Sequence, residues 1–353
     1  MTRGGPGAAR PLRIAQVAPP LEAVPPIAYG GTERIVAELV QELDRRGHHV
    51  TTFASGDSRI PGDHVVTVPA ALRPTGFADD PTAHFDATVR MVLERADDFD
   101  LIHGHIDRWN LELVRLAGVP VVSTFHGRLD VPWARLAFAD RPPGLVAVSQ
   151  DQALVHPEAA WTVIHHGLTF DLPPMVTTPG DDFCFVGRIT PEKGILDAIE
   201  VARLTGRRLL VAAKVPTSAM EVAYWRAVVK PALAGADVMI MGELPEPERD
   251  RLVASSRAAI IPSAWPEPFG LVVIEALACG TPVLVRRSGA IPELVRDGID
   301  GFIGDDVQQL AYFDDRIDGL DRAEIRSSAL ERFSVGRMVD SYEALYRSVI
   351  AGR

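Results

Sequence analysis

Two carboxylates, Glu267 and Glu275, enclose an almost wholly apolar stretch in the segment "EPFGLVVIE". Pro268 fits the first turn of a helix, so we expect Glu267 at the helix start and Glu275 about two turns further along. At about 100° and about 1.5 Å per residue, the two side chains point roughly 80° apart and lie on the order of 10 Å apart along the axis. They therefore do not converge on one bond, as the paired carboxylates of a glycoside hydrolase must.

This separation suits an elongated ligand that carries hydroxyl groups at both ends. The backbone amides of Phe269, Gly270 and Leu271 at the helix start would face its electronegative centre. Gly270 has no side chain, which lets a ligand approach the backbone closely. The alternative, from the residues alone, is that Glu267 only favours the helix dipole while a neighbouring arginine neutralises Glu275.

A second segment, "FVGRITPEKG", places two cations directly after a predicted strand. The strand runs into Gly187, and Arg188 and Lys193 follow on the short loop and helix start. Two cations beside backbone amides form a site for an anion the size of a diphosphate. The alternative is that both cations are simply solvated, as loop arginines and lysines usually are.

Two further segments follow strands in the first half of the chain. Gly30 and Gly31 in "IAYGGTER" resemble a phosphate-binding turn, but the dinucleotide spacing and the Walker lysine are both missing, so a capped loop is an equal alternative. His126, at the end of the strand in "STFHG", either hydrogen-bonds a sugar hydroxyl or has a structural role. The "HGH" at 103–105 has no third ligand nearby, so we expect no metal site.

Composition narrows the class of protein. The formal charge of −11 and the lack of a basic run argue against nucleic-acid binding. Cys184 and Cys279 lie in separate apolar segments, which indicates a reducing compartment, the cytoplasm, rather than a disulfide framework. No run approaches the roughly 18 uncharged apolar residues of a membrane-spanning helix, so we expect none.

Strands and helices alternate along the chain, which predicts an α/β fold with doubly wound parallel sheets. A chain of 353 residues is long enough for two domains. The proline-rich segment "DLPPMVTTPGD" reads as their linker, so we expect domains at 11–170 and 180–334 and a final amphipathic helix at 335–351. Ligands of such folds bind outside the carboxyl ends of the strands.

The expected strands lie at 12–18, 48–54, 64–69, 99–105, 119–126, 144–149, 161–167, 182–187, 207–213, 237–242, 258–263 and 281–286. The expected helices before the final one lie at 32–47, 84–97, 108–117, 193–205, 218–230, 246–256, 269–279 and 290–296.

Taken together, these segments resemble glycosyltransferase family 4, retaining enzymes with the GT-B architecture. The resemblance covers nearly the whole chain and rests on "GRITPEKG", on the two spaced glutamates of "EPFGLVVIE", and on the following "ALACGTPVLV" and "SGAIPELVRDGIDGFI". The segment "PPIAYGGTER" resembles the branch that contains the avilamycin-pathway transferase. In "VIHHGLTF" the chain departs from the family's usual Asn-Gly turn near the domain crossover.

The resemblance implies a hexosyltransferase of carbohydrate or natural-product biosynthesis. Two Rossmann-like domains would face a cleft, and the C-terminal helix would cross back to the N-terminal domain. The C-terminal domain would hold a UDP-, GDP- or dTDP-type sugar, and the N-terminal domain an unidentified hydroxyl acceptor, such as a small molecule, a glycan or a lipid-linked sugar. No metal and no cofactor beyond the nucleotide sugar is implied.

The resemblance also implies roles for individual residues. Arg188 and Lys193 would neutralise the donor diphosphate, Glu275 would bind the ribose, and Glu267 would contact the transferred sugar. His126 would contact the donor sugar near the reacting face and completes the implied catalytic set of His126, Arg188, Lys193 and Glu267. The other implied donor-binding positions are Gly30, Gly31, Gly187, Phe269, Gly270 and Leu271, with Gly242, Glu243 and Leu244 at the nucleobase.

Other functions remain open at this point. A GT-B-fold sugar-nucleotide epimerase would bind the same donor but needs acid and base groups at a sugar carbon. A non-catalytic nucleotide-sugar-binding protein would hold the donor without turnover. A nicotinamide oxidoreductase is disfavoured because the dinucleotide fingerprint is missing.

Overall fold

The computed structural model describes residues 10–27, 30–76, 80–140, 142–214, 216 and 218–352. These residues form two compact units. The first combines the described residues up to Val148 with Gln152–Leu168 and with the described residues from Val335 onward, and the second comprises Ser149–Asp151 and Thr169–Ser334. The chain therefore leaves the first unit to build the second, and then returns.

The first unit is built on a parallel sheet. Its described strands are β1 (Arg13–Val17), β2 (His49–Ala54), β3 (Asp63–Val66), β4 (Leu101–Gly104), β5 (Val121–Phe125), β6 (Leu145–Ala147) and β7 (Thr162–Val163). They lie in the order β3-β2-β1-β4-β5-β6-β7, and every pair is parallel. The order runs in opposite directions on the two sides of β1, which makes the sheet doubly wound.

The helices in this part of the chain are α1 (Gly31–Arg45), α2 (Thr82–Leu93), α3 (Asn110–Leu116), α4 (Pro132–Phe138) and α5 (Gln150–Leu154), with short 3-10 turns at Ala96–Asp98 and Asp107–Trp109. Helix α1 illustrates why they form. Ile35, Leu39 and Leu43 recur at helical spacing and are fully buried, so one apolar face of the helix packs on the sheet.

The second unit repeats this plan. Its described strands are β8 (Phe183–Arg188), β9 (Leu209–Lys214), β10 (Val238–Gly242), β11 (Ala258–Ile261), β12 (Val283–Arg286) and β13 (Gly301–Gly304). They lie in the parallel order β10-β9-β8-β11-β12-β13. Its helices are α6 (Ile195–Thr205), α7 (Ala219–Tyr224), α8 (Lys230–Ala232), α9 (Glu246–Ser255), α10 (Leu271–Ala278), α11 (Ile291–Leu294), α12 (Val307–Tyr312) and α13 (Arg322–Arg332), with a π-helical segment at Trp225–Val229 and 3-10 turns at Pro191–Lys193 and Asp314–Gly319.

The final helix, α14 (Val335–Ala351), belongs to the first unit. Its Tyr342 and Tyr346 are completely buried, and Arg46 at the end of α1 bonds to the carbonyl oxygen of Gly336 at 3.0 Å. His48 Nε2 lies 2.7 Å from Glu343 Oε1. In the described part of the chain, no helix has both the length and the apolar character that crossing a membrane requires.

The α/β fold with two doubly wound sheets is confirmed, and a strand lies at each position where one was expected. Strand β13 was not expected, because "GFIG" is only four residues long and carries a glycine at each end, a weak strand signal. Helices α4, α5, α12 and α13 were also missed. The helix expected at 84–97 ends at Leu93, and the one expected at 269–279 begins only at Leu271.

Candidate functional site

Arg188 and Lys193 lie together after β8, at the carboxyl edge of the second sheet. Arg188 ends the strand, and Lys193 ends the following 3-10 turn. Gly194 then adopts a left-handed conformation, with φ 74°, before α6 begins. A Cβ atom at Gly194 would lie 2.5 Å from the carbonyl oxygen of Pro262, so only glycine lets the chain turn here.

Glu267 is in direct contact with this turn. Its carboxylate forms an ion pair with Lys193 Nζ, although the two residues are 74 positions apart. Ser263 Oγ lies 3.3 Å from Glu267 Oε1 and 2.9 Å from the carbonyl oxygen of Glu192. Arg188 Nη2 donates to Glu192 Oε1 at 3.1 Å. The structure therefore brings Arg188, Lys193 and Glu267 into one cluster of alternating charge.

The segment between Glu267 and α10 is fixed by its glycines and by Phe269. Gly270 is left-handed, with φ 107°, and no side chain caps the helix that starts at Leu271. Gly289 packs so closely that a Cβ atom there would overlap the backbone of Glu267, and the next amide, that of Ala290, donates to the carbonyl oxygen of Glu267 at 3.0 Å. The buried ring of Phe269 packs edge-on against Phe333.

Glu275 lies inside α10 and has a different partner. Arg249 Nη2, on α9, donates to Glu275 Oε1 at 3.1 Å and to Asp250 Oδ1 at 3.0 Å. The sequence analysis left open that a neighbouring arginine neutralises Glu275, and Arg249 is that arginine. Its role was missed because it depends on how α9 packs beside α10. The two glutamates thus have separate cationic partners.

The predicted nucleobase segment connects to the same helix. Gly242 ends β10 with a left-handed φ of 79°. Glu243 is exposed and Leu244 is half-buried, and α9 begins two residues later at Glu246. The loop that carries Gly242, Glu243 and Leu244 therefore leads into the helix whose Arg249 contacts Glu275.

The Gly-Gly segment lies in the first unit. Gly30 directly precedes α1, and Gly31 is its first residue. A Cβ atom at Gly30 would lie 2.7 Å from Pro26 Cβ, so close packing requires glycine there. Ala28 and Tyr29 of the same segment lie outside the described residues.

His126 directly follows β5, and its surroundings hold it in place. Gln152 Nε2 donates to the carbonyl oxygens of Phe125 at 2.9 Å and Gly127 at 2.7 Å, on either side of it. His126 Nε2 lies 2.9 Å from His105 Nδ1, and the His166 ring stacks on it with centroids 5.1 Å apart. Burial lowers the pKa of His126 to about 3, so this imidazole is neutral at ordinary pH.

Asp107 is a candidate that the sequence analysis missed. Among the described residues it is the one non-glycine with a positive φ, 49°, and a Cβ atom at Gly127 would lie 3.8 Å from its Oδ1. Strained backbone of this kind concentrates at functional sites. The available signal was a carboxylate soon after a strand end, in "HGHID".

Two family models match the chain. The model described as "Glycosyl transferases group 1" matches residues 177–320, and the model described as "Glycosyltransferase Family 4" matches residues 29–169. A D-inositol 3-phosphate glycosyltransferase from Acidothermus cellulolyticus is 32% identical, with 97% of this chain and 92% of the relative covered.

Solved structures are also similar. AviGT4, described as a glycosyltransferase involved in avilamycin A biosynthesis, is 26% identical with a TM-score of 0.70, and 97% of this chain and 99% of that chain are covered. The Anabaena protein HepE, solved in complex with UDP and glucose, has a TM-score of 0.73 at 19% identity, with 96% of this chain and 100% of that chain covered. The second likeness bears on the fold alone.

Proposed function

Because this chain belongs to glycosyltransferase family 4, we propose that it is a retaining hexosyltransferase that moves a sugar from a nucleotide-diphosphate sugar to an acceptor hydroxyl. Its two doubly wound sheets are those of the GT-B fold. The observation that carries the proposal is the cluster of Arg188, Lys193 and Glu267 at the carboxyl edge of the second sheet. Two cations beside a carboxylate suit a ligand with a diphosphate next to hydroxyl groups.

In this proposal the second unit holds the donor. Arg188 and Lys193 bind the diphosphate. Glu267, which is already paired with Lys193, accepts a hydrogen bond from a hydroxyl of the transferred sugar. Glu275 accepts hydrogen bonds from the ribose hydroxyls, and the loop of Gly242–Leu244 borders the nucleobase. The candidate donors are UDP-, GDP- and dTDP-sugars.

The proposed reaction breaks the bond between the anomeric carbon and the phosphate oxygen, and forms a bond to the acceptor oxygen on the same face of the sugar. The acceptor's proton passes to the departing phosphate oxygen. Arg188 and Lys193 stabilise the negative charge that develops on the diphosphate, which is the main catalytic contribution of the chain. The proposal uses no cofactor besides the nucleotide sugar.

For the acceptor, we propose an uncharged polyhydroxyl compound held by the first unit. The chain's lysines are Lys193, Lys214 and Lys230, all in the second unit. In the described loops that follow the first sheet's strands, Arg73 already pairs with Glu22, and Arg128 pairs with Asp130. Arg59 and Arg108 also lie in these loops and bond to backbone oxygens and to the Thr82 hydroxyl. Because the first unit has no lysine and its loop arginines already have partners, we do not carry over the inositol phosphate in the relatives' names. The likeness to AviGT4 instead favours a natural-product branch.

The proposed function is tested by donor binding followed by turnover. UDP-, GDP-, ADP- and dTDP-glucose are screened for a rise in the melting temperature, since a ligand of the folded state stabilises it by mass action. Release of the nucleoside diphosphate is then measured with a set of sugar and polyol acceptors. Epimerised donor in the absence of acceptor would instead support the epimerase alternative, and stabilisation without turnover would support a binding protein.

Replacing Lys193 by alanine should lower turnover on the order of a hundredfold or more, because one preorganised charge contact to the transition state is lost. The matched control is Lys230→Ala, which removes an exposed lysine of the same unit and should leave turnover unchanged. Equal rates in the two variants, with both folded, would remove the diphosphate assignment.

A further inference from the structure

A continuous chain of buried polar side chains connects His126 to the C-terminal helix. It joins neighbouring strands of the first sheet to α14, and its members are Gln16 on β1, His103 on β4, His105 just after β4, Thr124 on β5, and Tyr342 and Tyr346 on α14. Apart from His126 itself, all are at most 2% exposed. The proposed function assigns a role to His126 alone among these side chains and leaves the others without one.

The orientation of the Gln16 amide gives a direction to the hydrogen bonds nearest His126. His105 Nε2 lies 2.9 Å from Gln16 Oε1, and a carbonyl oxygen only accepts, so His105 Nε2 carries the proton. Burial lowers the pKa of His105 well below its usual value, and a neutral imidazole has one N–H. His105 Nδ1 is therefore an acceptor, and the proton in its 2.9 Å bond to His126 Nε2 belongs to His126.

In the structure, the Gln16 amide is oriented with its nitrogen toward helix α14. Its Nε2 donates to Tyr346 Oη at 3.2 Å. With the amide in this orientation, the Tyr346 hydroxyl can donate to His103 Nδ1, 2.7 Å away, which leaves His103 Nε2 to donate to Thr124 Oγ1, also 2.7 Å away. Turning the Gln16 amide by 180° would reverse each of these bonds and move the proton of His126 to Nδ1. The Tyr346 hydroxyl therefore helps to decide which nitrogen of His126 is protonated.

The result of this direction is visible at His126 Nδ1. It carries a lone pair, it is buried, and no described residue donates a hydrogen bond to it. Buried polar atoms in native structures almost always have a partner, so an acceptor left in this state indicates that the partner is a ligand or an ordered water. A hydroxyl group is the donor that a sugar or a polyol supplies.

We propose that Tyr346, Gln16 and His105 are positioning residues that hold His126 in its Nε2–H form, so that its Nδ1 accepts a hydrogen bond from a substrate hydroxyl. The proposal rests on the proposed function for the identity of that hydroxyl. The hydrogen-bond direction does not depend on it. Helix α14 thereby takes part in preparing the reacting site from within the first unit, although Gln16 and Tyr346 are 330 positions apart in the chain.

The test combines spectroscopy and kinetics on two matched variants. Tyr346→Phe and Tyr342→Phe each remove one buried hydroxyl from the same helix, but only Tyr346 contacts Gln16, while the Tyr342 hydroxyl bonds Thr124 at 3.0 Å. Nitrogen NMR of histidine-labelled protein reports the protonated nitrogen of His126, whose signal is identified by its loss in His126→Gln. The wild type and Tyr342→Phe should show the Nε2–H form, and Tyr346→Phe a mixture of both forms.

Turnover should fall about tenfold in Tyr346→Phe, a change that corresponds to the loss of one orienting interaction. The donor KM should stay within about twofold, and Tyr342→Phe should keep the wild-type rate. An Nδ1–H form in the wild type, or an unchanged Nε2–H form in Tyr346→Phe, would overturn the proposal. Equal losses in the two variants would show that the hydroxyls act only in folding. Because NMR reads the free protein, the proposal can hold even if no nucleotide sugar is turned over.

Discussion

At the scale of single residues, the proposed donor site has its charges balanced before a ligand arrives. Lys193 pairs with Glu267, Arg188 with Glu192, and Arg249 with Glu275. An unpaired charge with limited access to water is costly. These pairs therefore keep cations at the carboxyl edge of the second sheet and avoid that penalty, and each carboxylate still has lone pairs for a hydroxyl.

Asp107 offers a test of the acceptor side. Asp107→Gly relieves the strain of its left-handed backbone, so the free energy of unfolding should rise by up to about 1 kcal/mol. If its carboxylate binds an acceptor hydroxyl, sugar transfer should fall about tenfold, the size expected when one hydrogen bond to a charged group is lost. Slow hydrolysis of the donor by water should be unchanged. Chemical denaturation and the two rates measure this.

Asp107→Asn is the matched control, because asparagine tolerates the same backbone but lacks the charge. It should lose transfer without the gain in stability. If both variants transfer sugar at the wild-type rate, Asp107 does not belong to the proposed acceptor site.

At the scale of elements, glycines decide where the site loops turn. Gly194 links the 3-10 turn of Lys193 to α6; it is left-handed, and a Cβ atom there would overlap the carbonyl oxygen of Pro262. Gly206, at the other end of α6, is also left-handed, with φ 68°, but a Cβ atom there would meet nothing within 4 Å. Alanine substitutions at these two glycines therefore distinguish the free-energy cost of a left-handed backbone from the added cost of steric overlap.

Gly206→Ala should cost about 1 kcal/mol of stability and leave turnover unchanged, since only the backbone preference is violated. Gly194→Ala should cost about 2 kcal/mol or more, because the overlap with Pro262 is added. It should also lower turnover, since relief of the overlap displaces Lys193. Denaturation curves and initial rates compare the variants. Similar stability losses with equal activity would mean that the Gly194 contact does not position the lysine.

The sequence predicted what is local and periodic. The alternation of strands and helices gave both sheets, and the cations after β8 and the glutamates around α10 could be recognised from short segments. What it missed depends on packing between distant residues. Three such contacts leave no periodic pattern in the sequence. They are the hydrogen bonds of Gln152 on either side of His126, the ion pair of Arg249 with Glu275, and the hydrogen bond of Gln16 with Tyr346. The roles of the predicted site residues remain predictions.

At the scale of the whole molecule, the first unit contains several imidazoles that burial keeps neutral. The pKa of His126 is lowered to about 3, and those of His103, His105 and His166 are lowered well below the usual value, in each case mainly by burial. The groups that face them are one another, Gln16, Thr124 and the hydroxyls of Tyr342 and Tyr346. The described contacts of His103, His105 and His126 include no carboxylate.

Stability should therefore fall on mild acidification. The unfolded chain binds protons at these histidines below a pKa of about 6.5, and the folded chain does not until far lower pH, so unfolding is favoured as pH falls from about 6.5 toward 3. At pH 5.5 each such imidazole should cost about 1.4 kcal/mol relative to pH 8. Denaturation measured from pH 8 to 5 checks this above the range where the salt-bridged carboxylates titrate.

His166→Asn should flatten this pH dependence by the share of one imidazole. Burial raises the pKa of Glu33 to about 7 and that of Asp107 to about 6, so these two carboxyls favour the folded state as pH falls and oppose the histidines. The contribution of His166 is therefore the difference between the wild type and His166→Asn. Identical pH profiles in the two proteins would mean that this ring takes up a proton in the folded state.

The return of α14 to the first unit also governs the order in which the protein can be completed during synthesis. Its buried tyrosines close the polar chain of β1, β4 and β5, yet they are translated only after Thr169–Ser334. At about 5 to 20 residues per second, the ribosome needs about 10 to 30 seconds to cross that interval. Throughout it, His103 and Gln16 lack their hydroxyl partner. The nascent first unit must therefore remain unfinished until the whole of the second unit has been translated.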